Sequence, residues 1–182
     1  MENSFESACR VTNKTNRDLL PLVEPIYQQF IPGCRREDIR NGDLLRGTLD
    51  IDFAIDSRII CPDGSWIAMQ EKLREYKEVR YRDFTMEHRN AFGTQYESPG
   101  EWFHLGAQLY FYAWADVSRT RFAAWRLFDV AAIKILVACA GGLEKVGRFQ
   151  KNSAYGKASF YGIPIWKLGP AIVESFGDVA DC

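Results

Sequence analysis

Three side chains in the first half of the chain have types and spacing suited to holding a cation beside an anion: Asp52, Gln70 and Lys72. From Leu49 onward, apolar residues fall on odd positions (Ile51, Phe53, Ile55) and acids on even ones (Asp50, Asp52, Asp56). Period two is what a half-buried strand requires. Pro62-Asp63-Gly64 reads as a turn, and Trp66 to Leu73 resumes the alternation, so the sequence predicts a β-hairpin over residues 49–74. Burial fixes the register, setting Ile51, Phe53 and Ile55 on one face with Ile67, Met69 and Leu73. The opposite face then carries Asp52 roughly across from Lys72, and Ala54 roughly across from Gln70. Carboxylate and amide oxygens are donors for a hard cation, and an ammonium steadies negative charge. Glu71 falls on the apolar face, where an unpaired acid is costly. Either it sits near the sheet edge beside an arginine, or a bulge makes it the ligand in place of Gln70.

This arrangement resembles the PD-(D/E)XK nuclease superfamily, whose members carry an acid on one strand of a hairpin and an acid-x-Lys triplet on the next. The matching residues are Asp52 in LDIDFAID and Gln70-Glu71-Lys72 in IAMQEKLR. The residue match is confined to positions 49–74; elsewhere only the order of elements corresponds. Gln70 stands where the family usually has Glu or Asp, a variant the superfamily tolerates, though a neutral oxygen is a weaker ligand. The resemblance implies a restriction-endonuclease-like αβββαβ core and hydrolysis of phosphodiester bonds assisted by Mg²⁺ or Mn²⁺. Asp52 and Gln70, with the backbone carbonyl of Glu71, would hold the ion, and Lys72 would orient water or stabilise charge on the phosphate. A second carboxylate is expected from Glu24, Asp50, Glu71 or Glu87. Glu24 ranks first, because some members supply an acid from the opening helix.

The elements that must position these groups can be read in outline. Residues 1–16 are polar and predict a loose lead-in, leaving 17–182 as one domain. Asn16 could cap a helix running to Phe30, in which Pro25 is awkward, and Pro32-Gly33 ends it. Residues 75–100 read as charged loop, and 101–105 as a helical turn. Residues 108–114 and 122–128 read as strands, and 130–140 as a buried helix closed by Gly141-Gly142. A basic loop from 148 to 157 precedes a last strand, 159–168, interrupted at Pro164. The expected fold is α/β, a mixed sheet flanked by helices.

Composition narrows the function classes. Net charge is −1, so attraction for phosphate must come from local clusters among the 23 Lys and Arg residues. Arg74, Lys77, Arg80 and Arg82, interleaved with Tyr76 and Tyr81, could grip a phosphate backbone. Compensating acids make an ordinary charged loop the better reading there. Arg148, Lys151 and Lys157 form a second patch without acids. The five cysteines lack any CxxC, and His88 and His104 lack a metal-type partner spacing. Gly156-Lys157-Ala158-Ser159 lacks the flanking residues of a phosphate loop, and neither GxSxG nor GxGxxG occurs. Gln108 opens a strand and reads as a sheet-edge residue. The first ten residues hold two acids and no apolar run, and the most apolar stretch, 130–140, is short and contains Lys134. A cytoplasmic protein without a membrane partner is expected. The first functional reading is a metal-dependent nuclease acting on DNA, compatible with a homodimer. The second is a noncatalytic nucleic-acid-binding or assembly protein that keeps the fold.

Overall fold

In the computed structural model, residues 18–39, 49, 52–152 and 158–177 are described. The strands in chain order are β1 (Arg35–Asp38), β2 (Ser57–Ile60), β3 (Trp66–Arg74), β4 (Asp83–Asn90), β5 (Ser98–Pro99), β6 (Leu109–Ala115), β7 (Phe122–Asp129), β8 (Arg148–Lys151), β9 (Ser159–Pro164) and β10 (Ile172–Phe176). The α-helices are α1 (Glu24–Phe30), α2 (Glu101–His104), α3 (Val130–Ala140) and α4 (Leu143–Val146). Six strands form a mixed sheet in the order β1-β2-β3-β6-β7-β10, in which only β3 and β6 run parallel. A parallel pair needs a long crossover. Here the crossover, residues 75–108, carries β4 and β5 into a second sheet ordered β5-β4-β9-β8.

The large sheet separates two cores. On one face, Leu19, Val23, Ile26 and Tyr27 pack against Met69, Leu73, Phe111 and Trp125. On the other, Tyr110, Tyr112 and Trp114 of β6 meet Phe84 and Met86 of β4, Ile163 of β9, and Ile133 and Val137 of α3. β6 is therefore covered on both faces, which explains its nearly unbroken apolar sequence. Each such side chain contributes roughly 1.5–3 kcal/mol on full burial. Helix α3 starts where the Asp129 carboxylate accepts the Ala132 N–H at 2.9 Å, and stops at Gly141, whose φ of 90° suits glycine.

Several expectations hold: β3, α2, β6, β7 and α3 fall where the sequence places them, and the turn at Pro62-Asp63-Gly64 is present. Pro25 breaks the opening segment, since Val23 caps α1 and the proline occupies its first turn. The first strand of the hairpin is a correction. Leu49 and Asp52–Phe53 are helical, Ala54 has φ 46°, and the strand that pairs with β3 is Ser57–Ile60. Phe53 is 48% exposed, so the alternation at 51–55 does not mark a buried face. β4 lies where a loop was expected, because Phe84, Thr85 and Met86 are all buried and leave no period-two signal. β8 likewise replaces the start of the basic loop, and the last strand ends at Pro164, followed by a 3-10 helix and β10. The lead-in 1–16, including Asn16, lies outside the described residues. Among those described, no helix is long and apolar enough to cross a membrane.

Candidate functional site

Strand alternation sends Ala68, Gln70 and Lys72 to the side of the large sheet that faces the second sheet. Lys72 Nζ donates to the Thr85 carbonyl at 3.0 Å and pairs with Glu101 Oε2 at 3.4 Å. The Tyr110 hydroxyl donates to Glu101 Oε1 at 2.6 Å. Tyr110 is the register neighbour of Gln70 in β6, as Tyr112 is of Lys72. The Glu101 carboxylate, held between Tyr110 and Lys72, therefore lies on the side of the sheet to which strand alternation sends Gln70. Gln70 Oε1 is buried and accepts no hydrogen bond. An unmade acceptor of this kind costs about 1–3 kcal/mol and calls for an explanation, of which a bound ion is one.

Glu101 reaches this position because α2 lies tight on β4. The Gly100 N–H donates to the His88 carbonyl at 2.9 Å, and a Cβ at Gly100 would come within 2.8–2.9 Å of the Glu87 and His88 backbone. Only glycine fits there. Burial pushes the Glu87 carboxyl above its ordinary range, and Glu101 adds to the rise while Lys72 opposes it. Burial and the neighbouring Glu101 charge hold the Tyr110 phenol well above its usual range, so it stays a donor.

Asp52 is not across from Lys72; it is exposed on the helical turn before β2. The acid that enters the hairpin is Asp56, buried at 7% exposure, whose N–H donates to the Met69 carbonyl and whose Oδ2 accepts the Glu71 N–H at 3.0 Å. Glu71 itself points to the opposite face. Its carboxylate accepts from Tyr27 Oη, Arg36 Nε and Ser57 Oγ, each at 2.9 Å, and from Arg36 Nη2 at 2.5 Å. Of the two alternatives for this residue, the arginine partner is found, but on an interior strand and not near a sheet edge. Burial works against the Arg36 charge, but the Glu71 carboxylate outweighs it and raises the pKa. Glu24 belongs to this same face, with its Oε1 accepting the Arg36 N–H at 3.4 Å, and does not join Lys72. Asp50 lies outside the described residues. Glu101 was missed by sequence reasoning; its only signal is an acid opening a short helical turn, and the contact to Lys72 spans 29 positions.

The basic residues divide. Arg74 is committed inward, to Thr85 Oγ1 at 2.6 Å, Tyr112 Oη at 3.2 Å and Glu78 at 2.9 Å. Lys77 is exposed, Arg80 folds onto the Tyr81 ring at 4.9 Å, and the half-buried Arg82 adopts φ 49° at the end of a 3-10 helix. Arg148 and Lys151 stand exposed on β8, and Lys157 lies outside the described residues. Gln108 continues the β3–β6 ladder, since its Oε1 accepts the Ala68 N–H at 2.9 Å.

Among the described residues no three His, Cys, Asp or Glu side chains converge as a ready metal cage. Magnesium commonly takes only one or two protein carboxylates, with waters and substrate phosphates completing its shell. Gln70 and Glu101, on the same side of the large sheet, carry oxygens of the type such an ion takes. No family model, curated protein or solved structure matches this chain.

Proposed function

We propose that the protein is a metal-dependent nuclease that hydrolyses phosphodiester bonds, with DNA as substrate. The observation that carries this reading is the buried, unpartnered Gln70 oxygen on the side of the sheet that bears the Lys72–Glu101 pair. The run of elements supports it too: a helix, three antiparallel strands, a crossover containing α2, then a strand parallel to β3. This run is in keeping with the core that the resemblance implies, with a second sheet inserted in the crossover.

The residues that would hold Mg²⁺ or Mn²⁺ are Gln70 and Glu101, with Asp56 at the entry of the hairpin replacing Asp52. Such an ion supplies positive charge that polarises the phosphoryl group and acidifies an attacking water. Lys72 has three N–H donors, and two face Thr85 and Glu101. The third serves a phosphate oxygen as charge builds there. Glu87, made a stronger base by burial, takes the proton of the attacking water, and that proton passes to the leaving oxygen when the P–O bond breaks. The test is cleavage of labelled DNA by the purified chain with Mg²⁺ or Mn²⁺, set against the Lys72→Met and Glu101→Gln variants. Metal-dependent cutting that falls about a hundredfold in each variant supports the reading; cutting that survives both variants overturns it.

A noncatalytic nucleic-acid-binding role is the second reading, favoured by the lack of three converging acids among the described residues. It expects binding that ignores Mg²⁺ and survives Lys72→Met.

A further inference from the structure

A run of aromatic rings lies across α2 and β4 from the site. Phe92 meets Phe149 at 5.6 Å between centroids, Phe149 meets Tyr161 at 5.5 Å, Tyr161 meets His88 at 5.3 Å, and His88 meets Phe103 at 5.4 Å. The run leaves the core at Tyr161 and reaches the surface on both sides: Phe103, at one end, is 50% exposed, and Phe149, next to the half-buried Phe92 at the other, is 44% exposed. Each end carries a cation on a ring: Arg89 at 4.9 Å from the Phe103 centroid and Lys151 at 5.3 Å from that of Phe92. Arg89 is steered by Glu97 at 3.7 Å, a partly exposed pair worth little in water. His88 Nδ1 and Ser159 Oγ are buried without hydrogen-bond partners along the same strands.

Half-exposed phenylalanines joined by a continuous run of rings and flanked by cations do not follow from core packing, which would cover them. They match what an unpaired nucleic-acid strand offers: flat base faces to stack on rings, and phosphates to meet the cations. A duplex does not match, because its base faces are hidden in the helical stack.

The shelf also adjoins the site. In α2, Glu101 turns to Lys72 while Phe103, two residues on, turns to His88; in β4, Glu87 lies within electrostatic reach of Lys72 while His88 joins the rings. We infer that this aromatic shelf binds single-stranded nucleic acid, with Phe103 and Phe149 stacking on bases and Arg89 and Lys151 contacting phosphates. As a statement about substrate form, the inference rests on the nuclease reading. As a binding site, it stands alone.

The test is fluorescence anisotropy of the full chain with labelled oligo(dT), an abasic strand of equal length and a blunt duplex, at fixed salt in EDTA. Oligo(dT) is expected to bind at least about tenfold tighter than either competitor. Phe103→Ala and Phe149→Ala are each expected to lose about tenfold on oligo(dT) and to leave the weak abasic binding unchanged, while Phe149→Trp keeps the affinity. Equal binding of the three ligands, no binding at all, or Ala variants with unchanged affinity overturns the inference. Because EDTA removes catalysis from the readout, the two proposals fail separately. Ring-dependent binding without cleavage in Mg²⁺ sinks the nuclease and keeps the shelf; cleavage with ring-independent binding does the reverse.

Discussion

Glu71 and its neighbours Gln70 and Lys72 are consecutive residues of β3, yet the two faces of the strand treat their polar groups in opposite ways. On the α1 face, the Glu71 carboxylate receives four hydrogen bonds, two of them from Arg36, and is 4% exposed. On the other face, the Gln70 oxygen is buried with no donor, and Lys72 keeps 28% of its side chain accessible. A polar group that is fully satisfied specifies structure; one left short calls for an explanation, and the proposed ion site supplies one. The comparison therefore separates a lock from the proposed site within three residues.

Breaking the lock should have the largest effect on folding. Arg36→Met leaves the Glu71 carboxylate buried without its cation and is expected to cost about 3–5 kcal/mol, read from urea unfolding at neutral pH. Breaking the site should instead spare the fold. Lys72→Met is expected to change unfolding free energy by less than about 1 kcal/mol, since its ion pair with Glu101 is partly solvated, while metal-dependent cleavage falls about a hundredfold. A folding loss as large as that of Arg36→Met would erase the distinction between the faces. Tyr110→Phe removes the donor that seats Glu101, with an expected cost of about 1–2 kcal/mol and a rise in KM or fall in kcat measured on the same substrate. The Glu87 carboxyl, raised by burial, gives a pH signature. Its folded pKa lies above the unfolded one, so its stabilising contribution is full below the ordinary carboxylate range and is lost as pH rises through the raised value. Glu87→Gln should therefore gain on the wild type across that window in a series of unfolding curves, and a constant difference would refute the shift. Smallest of all, Asp52→Ala should stay within about 0.5 kcal/mol and keep cleavage, because Asp52 is exposed and off the sheet.

The same contrast explains what was legible beforehand. The alternation from Trp66 to Arg74 is a local signal, and it assigned Met69 and Leu73 to one face and Gln70 and Lys72 to the other, as found. The Glu71 dilemma was visible as well, because an acid on an apolar face demands a partner. What failed was the strand before the turn. Ile51, Phe53 and Ile55 carry the period of a strand, but Phe53 is half exposed and its carbonyl accepts the Gly106 N–H at 2.7 Å, a contact no local pattern encodes. The hairpin accordingly starts at Ser57, and the acid that reaches β3 is Asp56, through the Glu71 N–H and not across from Lys72. Glu101 and Thr85 reach Lys72 from the crossover, and Tyr110 of β6 is linked to it only through Glu101, so spacing in the sequence held no trace of them.

Gln70→Met offers the most direct test of the two-face account. It keeps the length of the side chain and deletes the orphaned oxygen, so unfolding stability should hold or rise by up to about 1–3 kcal/mol while metal-dependent cleavage drops about a hundredfold. A variant that cuts as well as the wild type, or one that loses stability while keeping its activity, would show that the Gln70 oxygen serves the fold and that no site lies on that face.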